Sequence, residues 1–356
     1  MVDLLQRTAE LVAVASVSLD EGRLADIVEA ELRGITGLEV DRVGDNVVAR
    51  TALGRSTRLV LAGHLDTVPP NGNADPRIDG DTLWGVGSAD MKGGLVVMLT
   101  LAHEVPTPGV DVTWVFYTGE EIASTHNGLG HLFRDRPDLV AGDVAILGEP
   151  TDGLIEAGCQ GSLRVAITLA GRRAHTARPW MGRNAIHRAG RLLTALESYE
   201  ARRPVLDGCE FRESMEAVAI EGGVAGNVVP DRVTITVNVR FAPDRSAEQA
   251  EQGLRDLCGD LLEPDDEWKV VDVASAAPPG LDHPVLAGLR DGGALGVRAK
   301  LGWTDVARFA AAGIPAANFG PGDPTLAHTP EERVERASLD TTYRALLALL
   351  TDGAAR

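Results

Sequence analysis

Seven positions scattered over most of the chain carry side chains suited to building a metal centre. They are His64 and Asp66 in "HLDTVPP", Asp90 in "GVGSADMKGG", Glu120 and Glu121 in "YTGEE", Glu149 in "LGEPT" and His328 in "TLAHTP". A catalytic zinc that keeps an open position takes about three protein ligands. Two histidines and three carboxylates are therefore too many for one ion, whereas two ions sharing a bridging carboxylate would each receive three ligands. Asp90, Glu121 and Glu149 bring three negative charges against the four positive charges of two Zn2+, and a bridging hydroxide makes the cluster neutral. Glu120 is left over, which suits a base that must not be tied up on metal. Asp66, two residues after His64, is placed to accept the imidazole N–H and fix its tautomer.

Each residue also has a plainer reading. A lone acid at a strand end is usually a solvated loop residue, and a single histidine is more often structural than a ligand. The glycine-rich "GVGSADMKGG" looks like a phosphate loop but lacks the required spacings. It is the combination that points to a metal centre.

The elements that must position these residues follow from the apolar pattern. "RLVLAG" (58–63), "DVTWVFY" (111–117), "DVAILG" (143–148) and "PAANFG" (315–320) read as buried strands, and "MKGGLVVMLTLAHEV" (91–105) as a helix between the first two. Near-continuous apolar strands alternating with helices indicate an α/β sheet covered on both faces. In such sheets ligands collect beyond the carboxyl ends of the strands, where the candidates lie. A last helix is expected over 339–350.

The middle of the chain has a different rhythm. Strand 162–171, helix 184–203, strands "SMEAVAIEGG" and "DRVTITVNVRF", a charged helix over 246–262 and strand 268–275 follow in turn. That order is the split βαβ pattern of ferredoxin-like α+β units. The expected organisation is thus an α/β domain made of 1–158 and 276–356, interrupted by an α+β insert at 159–275.

Composition narrows the partners. The 356 residues include 34 basic and 52 acidic side chains, a formal charge of −18, which argues against nucleic acid or an anionic membrane. The start, "MVDLLQRTAELVAVAS", carries Asp3, Arg7 and Glu10 through its apolar positions and so reads as an amphipathic helix and not a secretory signal. No apolar run approaches the roughly 18 to 20 residues of a membrane span. Three cysteines without a CxxC pair suggest a reducing cytoplasm.

Taken in order, "HLDTVP", "GSADMKGG", "TGEEI", "GEPT" and "AHTPEE" resemble the di-zinc metallopeptidase family of aminoacylases, glutamate carboxypeptidases and deacylases, over nearly the whole chain. The resemblance implies a zinc-peptidase-like catalytic domain with a central mixed sheet covered by helices, and an inserted lid that also dimerises. It implies hydrolysis of the amide of a small N-acyl amino acid, with two Zn2+ as cofactors and Co2+ as an alternative ion. Asp90 becomes the bridging ligand, with His64 and Glu149 on one zinc and Glu121 and His328 on the other. Glu120 matches the catalytic glutamate, whose task is to take a proton from the attacking water. His175 in "GRRAHTARP" matches a lid histidine that reaches the partner subunit's active site. Asn227 and Arg240 match lid residues that hold substrate carboxylate or carbonyl groups, and Ser162 is a further substrate-binding candidate.

Two departures concern substrate recognition. Cys159 and Gln160 stand where well-studied relatives have two arginines before the glycine-serine, and "GPGDPTLAH" is one residue longer than the usual form.

Overall fold

The computed structural model describes residues 2–352. Its chain divides into two compact units. One comprises Met1–Gly158, Pro279–Arg298 and Arg308–Arg356, and the other Cys159–Pro278 with Ala299–Ala307. The segment 299–307, which the sequence pattern leaves with the larger domain, clusters with the inserted one.

The larger unit is built on a mixed eight-stranded sheet. Its order is Leu38–Val43, Asn46–Thr51, Asp111–Tyr117, Arg58–His64, Val144–Leu147, Ala316–Asn318, Ile155–Ala157 and Val297–Ala299. The four strands from Asp111–Tyr117 to Ala316–Asn318 run parallel, with Leu61 opposite both Trp114 and Ile146, and Ala317 opposite Ile146. Asp111–Tyr117 and Val144–Leu147 are buried along their whole length, as the unbroken apolar runs require. Each of the four parallel strands leads at its carboxyl end to one of the candidate residues.

The helix Gly93–Glu104 is buried from Gly93 to Ala102, because it is apolar on all sides. It packs against Leu4–Val12 and Arg336–Asp352. Gly94 allows the close approach of this helix to the sheet, since a Cβ there would lie 2.3 Å from the Gly148 carbonyl oxygen. The last helix begins at Arg336, three residues before its expected start.

In the inserted unit four antiparallel strands run in the order Ser214–Gly222, Arg232–Phe241, Gly161–Ala170 and Glu267–Ala274. Leu163, Val165, Ile167 and Leu169 alternate inwards with Val233, Ile235, Val237 and Val239, and close a core with Leu192 and Leu254 of the two helices. Ser162, Arg164, Asn238 and Arg240 therefore fall on the opposite, uncovered face.

The helix expected over 184–203 spans only Ala185–Glu197, started by the Asn184 side chain, which accepts the Ile186 and His187 N–H groups. A two-residue hairpin, Val205–Leu206 with Cys209–Glu210, uses the chain that follows. The charged helix runs from Ala247 to Cys258. Reciprocal Ser246–Gln249 capping starts it, and it stops at Gly259, whose φ of 39° suits glycine. Among the described residues no helix is long and apolar enough to cross a membrane.

Candidate metal centre

His64 is the last residue of its strand and only 1% exposed. Its Nδ1 lies 2.9 Å from the Asp66 carbonyl oxygen, which directs Nε2 to Asp90 Oδ1 at 3.0 Å. The other oxygen of Asp90, Oδ2, lies 3.5 Å from His328 Nε2, and that nitrogen is 2.8 Å from Glu121 Oε1. One carboxylate thus faces a histidine with each of its oxygens. Ligand atoms of His64, Asp90 and Glu121 all lie within 4.8 Å of one another, so this group could hold a metal ion. Glu149 is buried two residues past Val144–Leu147, the strand between those that lead to His64 and towards His328.

The electrostatics say what such a site needs. Burial works against a charged His64, but its bonds to Asp66 and Asp90 outweigh burial and hold its pKa well above the ordinary value. Bonds to Asp90 and Glu121 lift His328 to about 10 against partial desolvation. Burial would raise Asp90, yet His328 and His64 together hold it well below the usual carboxylate range. The carboxylates therefore draw positive charge to two places, one at each oxygen of Asp90. Neutral imidazoles and ionised carboxylates form a donor set that metal cations fit.

The turn carrying the two adjacent glutamates is clamped through its backbone. Gly119 has a φ of 69°, and a Cβ there would come within 2.5 Å of the His126 carbonyl oxygen. Its N–H donates to Glu21 Oε1 at 3.1 Å. The next two N–H groups, of Glu120 and Glu121, donate to Asp66 Oδ1 and Oδ2 at 3.0 and 3.1 Å. The Ser18 hydroxyl donates to Asp66 Oδ2 at 2.8 Å.

This changes the expected part of Asp66. Its carbonyl is the nearer acceptor for His64, while its carboxylate lies 3.5 Å from the ring and mainly holds the turn. Burial would raise the Asp66 carboxyl, but bonds from His64, Ser18 and the turn bring it down to about 2. Glu121 leaves the turn towards His328, with Glu120 part-buried beside it.

Two buried charges beside Asp90 escape a reading by motif. Glu332, 1% exposed, accepts the N–H groups of Ala89 and Asp90 at 3.2 and 3.1 Å. Burial pushes its carboxyl up to about 7. Lys92, 2% exposed, donates from Nζ to the Val14 carbonyl at 2.7 Å, and burial brings it down to about 8. The motif "AHTPEE" contains Glu332, but spacing alone does not separate it from a surface acid.

The candidates of the inserted unit fall into two pairs. His175 is exposed, and its Nδ1 accepts the Ala177 N–H at 3.0 Å, which leaves Nε2 to carry the proton of the neutral ring. Asn227 adjoins it, since the Thr176 N–H donates to the Asn227 carbonyl at 3.0 Å. Ser162 stands opposite Arg240 in the strand register, with its hydroxyl 3.2 Å from Asn238 Oδ1. Cys159 and Gln160 are both turned inwards. Cys159 is fully buried, with Sγ 3.7 Å from the Thr304 carbonyl and its thiol pushed up to about 11 by burial. The Gln160 amide donates to the Arg212 carbonyl at 2.8 Å.

Taken together, these observations describe an α/β scaffold with a carboxylate-rich, histidine-flanked cation site at the ends of its parallel strands. The chain belongs to Peptidase family M20/M25/M40, whose profile it matches over residues 60–352. A Mycobacterium tuberculosis protein provisionally named succinyl-diaminopimelate desuccinylase DapE is 52% identical over 333 residues, 93% of each chain. A Corynebacterium glutamicum succinyl-diaminopimelate desuccinylase is 44% identical, over 92% of this chain and 90% of that one. Among solved structures, a Staphylococcus aureus tripeptidase matches 99% of this chain and 98% of its own with a TM-score of 0.80 at 21% identity. A Bacillus subtilis protein described as a dinuclear metal-binding peptidase matches 97% of this chain and 96% of its own, with a TM-score of 0.73 at 16% identity. At these identities the structures establish the shared fold.

Two outcomes are expected. His64 and His328 both hold protons at neutral pH in the metal-free protein, and both must lose them to act as ligands. Zn2+ titrated into weakly buffered protein at pH 7 should release about two protons, and affinity should rise with pH towards 10; pH-independent binding would contradict this. Replacing Glu332 by Ala strands two buried N–H groups beside Asp90 and should weaken Zn2+ binding about 10- to 100-fold by calorimetry. Glu332→Gln keeps the acceptor oxygen and should retain most of the affinity.

Proposed function

We propose that this protein removes the succinyl group from N-succinyl-L,L-2,6-diaminopimelate, giving succinate and L,L-diaminopimelate. The observation that carries the reading is its likeness, over nine-tenths of the chain, to the two bacterial relatives so named. His64 and Glu149 would hold one Zn2+, Glu121 and His328 the other, and Asp90 both, with Co2+ able to substitute. The face-to-face placement of Asp90 with both histidines supports that division. Bound metal would acidify water and polarise the amide carbonyl.

The residues of the chain do the rest. Glu120 takes a proton from water as its oxygen bonds to the carbonyl carbon, and returns it to the amine nitrogen as the C–N bond breaks. Asp66 keeps the Glu120–Glu121 turn and His64 in place. His175, with its proton on Nε2, donates to the developing oxyanion. Arg240, Asn227 and Ser162 bind the carboxylate and carbonyl groups of this small-molecule substrate.

The inserted unit is also the dimerisation surface in this reading. Ser214–Gly222 is a sheet-edge strand exposed along nearly its whole length, including Val218 and Ile220. Such an edge can pair with a second chain. The three cysteines are buried free thiols, in keeping with a reducing cytoplasm.

The deciding assay offers N-succinyl-diaminopimelate and N-acetylornithine side by side, with and without Zn2+. Preference for the acetyl compound would make this an acetylornithine deacetylase or related N-acyl-amino-acid amidohydrolase instead. Glu120→Ala should keep its metal and lose about 100- to 10,000-fold in turnover. Glu121→Ala should instead lose one ion by elemental analysis, and equal metal loss in both variants would refute the division of labour. Mixed dimers of His175→Ala and Glu120→Ala chains should regain activity; failure to complement would place His175 outside the partner's site.

A further inference from the structure

Arg240 is a half-buried guanidinium on the uncovered face of the inserted sheet, and among the described residues no carboxylate or hydrogen-bond acceptor is recorded against it. A guanidinium partly removed from water normally finds an anion. The strand register shows what surrounds it. Arg240 is opposite Ser162 on one side and Ser214 on the other, while Arg164 is opposite Asn238. Arg164 and Arg240 are therefore diagonal neighbours on one face, at a spacing of about 7–8 Å that long side chains bridge.

Burial, and then the charge of Arg164, press the Arg240 pKa down, so the two cations feel each other. The acids on that face leave the pair short of negative charge. Asp272 is opposite Arg164, but its oxygen is 3.8 Å from the guanidinium and both side chains are 46% exposed. Glu216, opposite Asn238, makes no recorded ion pair with either arginine.

We infer that Arg164 is a specificity-determining residue that binds the terminal carboxylate of the succinyl group, alongside Arg240 on the amino-acid part of the same substrate. The inference rests on the desuccinylase reading. A succinyl amide differs from an acetyl amide by one carboxylate, and discrimination between them calls for a second cation. Cys159 and Gln160 cannot supply it: they carry no positive charge, and their side chains are engaged with the Thr304 and Arg212 carbonyls. Arg164 lies four residues beyond Gln160, on the strand Gly161–Ala170, and is exposed towards solvent.

The test measures KM and kcat of the zinc-loaded full-length enzyme on N-succinyl- and N-acetyl-diaminopimelate. Arg164→Gln should raise KM for the succinyl compound about tenfold or more, the effect of losing a charge-assisted hydrogen bond. Its kcat and its KM for the acetyl compound should stay near those of the parent. Arg164→Lys, which keeps the charge without the planar fork, should fall between. Asp272→Asn should leave KM unchanged or lower it; if it matches the rise seen in Arg164→Gln, the arginine serves only a structural pair and the inference fails. An equal KM rise for both substrates in Arg164→Gln overturns it too.

Should the parent enzyme not hydrolyse the succinyl compound, the desuccinylase reading fails, and calorimetry with succinate and butyrate decides the arginine pair separately. The pair predicts tighter succinate binding that Arg164→Gln abolishes. Equal binding of the two acids to the parent protein refutes it.

Discussion

The larger unit has to keep several acids close together in a place with little water. Asp90 is held between two histidines, Glu121 meets one of them, and Glu149 is buried at the end of the strand between theirs. Unpaired, such charges would repel one another and suffer from burial. Cations must be drawn in, and the protein must prevent the acids from turning away. The rest of the larger unit can be understood as the means of keeping them aimed.

Those means are mostly backbone hydrogen bonds to buried carboxylates. Glu21 and Asp66 accept three successive N–H groups of the Gly119–Glu121 turn. Glu332 accepts two from the segment that carries Asp90. Supporting acids of this kind orient a metal site without binding metal themselves. They also sort otherwise similar residues: of the chain's many acids, some face the cations and others face the main chain. The parallel sheet supplies the common origin, because each of its four central strands delivers a residue to the same end.

The inserted unit answers to a different requirement. Its helices cover one face of a four-stranded antiparallel sheet and leave the other face polar, with Ser162, Arg164, Asn238 and Arg240 alternating outwards. Period-two alternation thus yields a packing face and a polar face from the same strands. Cys159 and Gln160, just ahead of the strand Gly161–Ala170, are turned inwards onto the Thr304 and Arg212 carbonyls.

Much of this was legible in the residues themselves. Buried strands followed from unbroken apolar runs, the inserted unit from its alternation, and the donor set from residue types at strand ends. Element ends were less secure. The helix after Asn184 stops at Glu197 and the final one starts at Arg336, because capping and the following chain decide boundaries that hydrophobic pattern leaves open.

What the sequence determined by itself was therefore the kind of chemistry and the order of its parts: which side chains can bind metal, and which strands carry them. Tertiary structure alone decided the pairing. Asp90 is separated from His328 by most of the chain, and the distances that place one oxygen on each histidine exist only after the sheet forms. The same is true of Asp66 as a clamp, of Glu21 and Glu332 as supports, and of Arg164 beside Arg240. A hydrogen bond or a shared charge is a relation across space, and a residue's type reveals its capacity for one but not its partner.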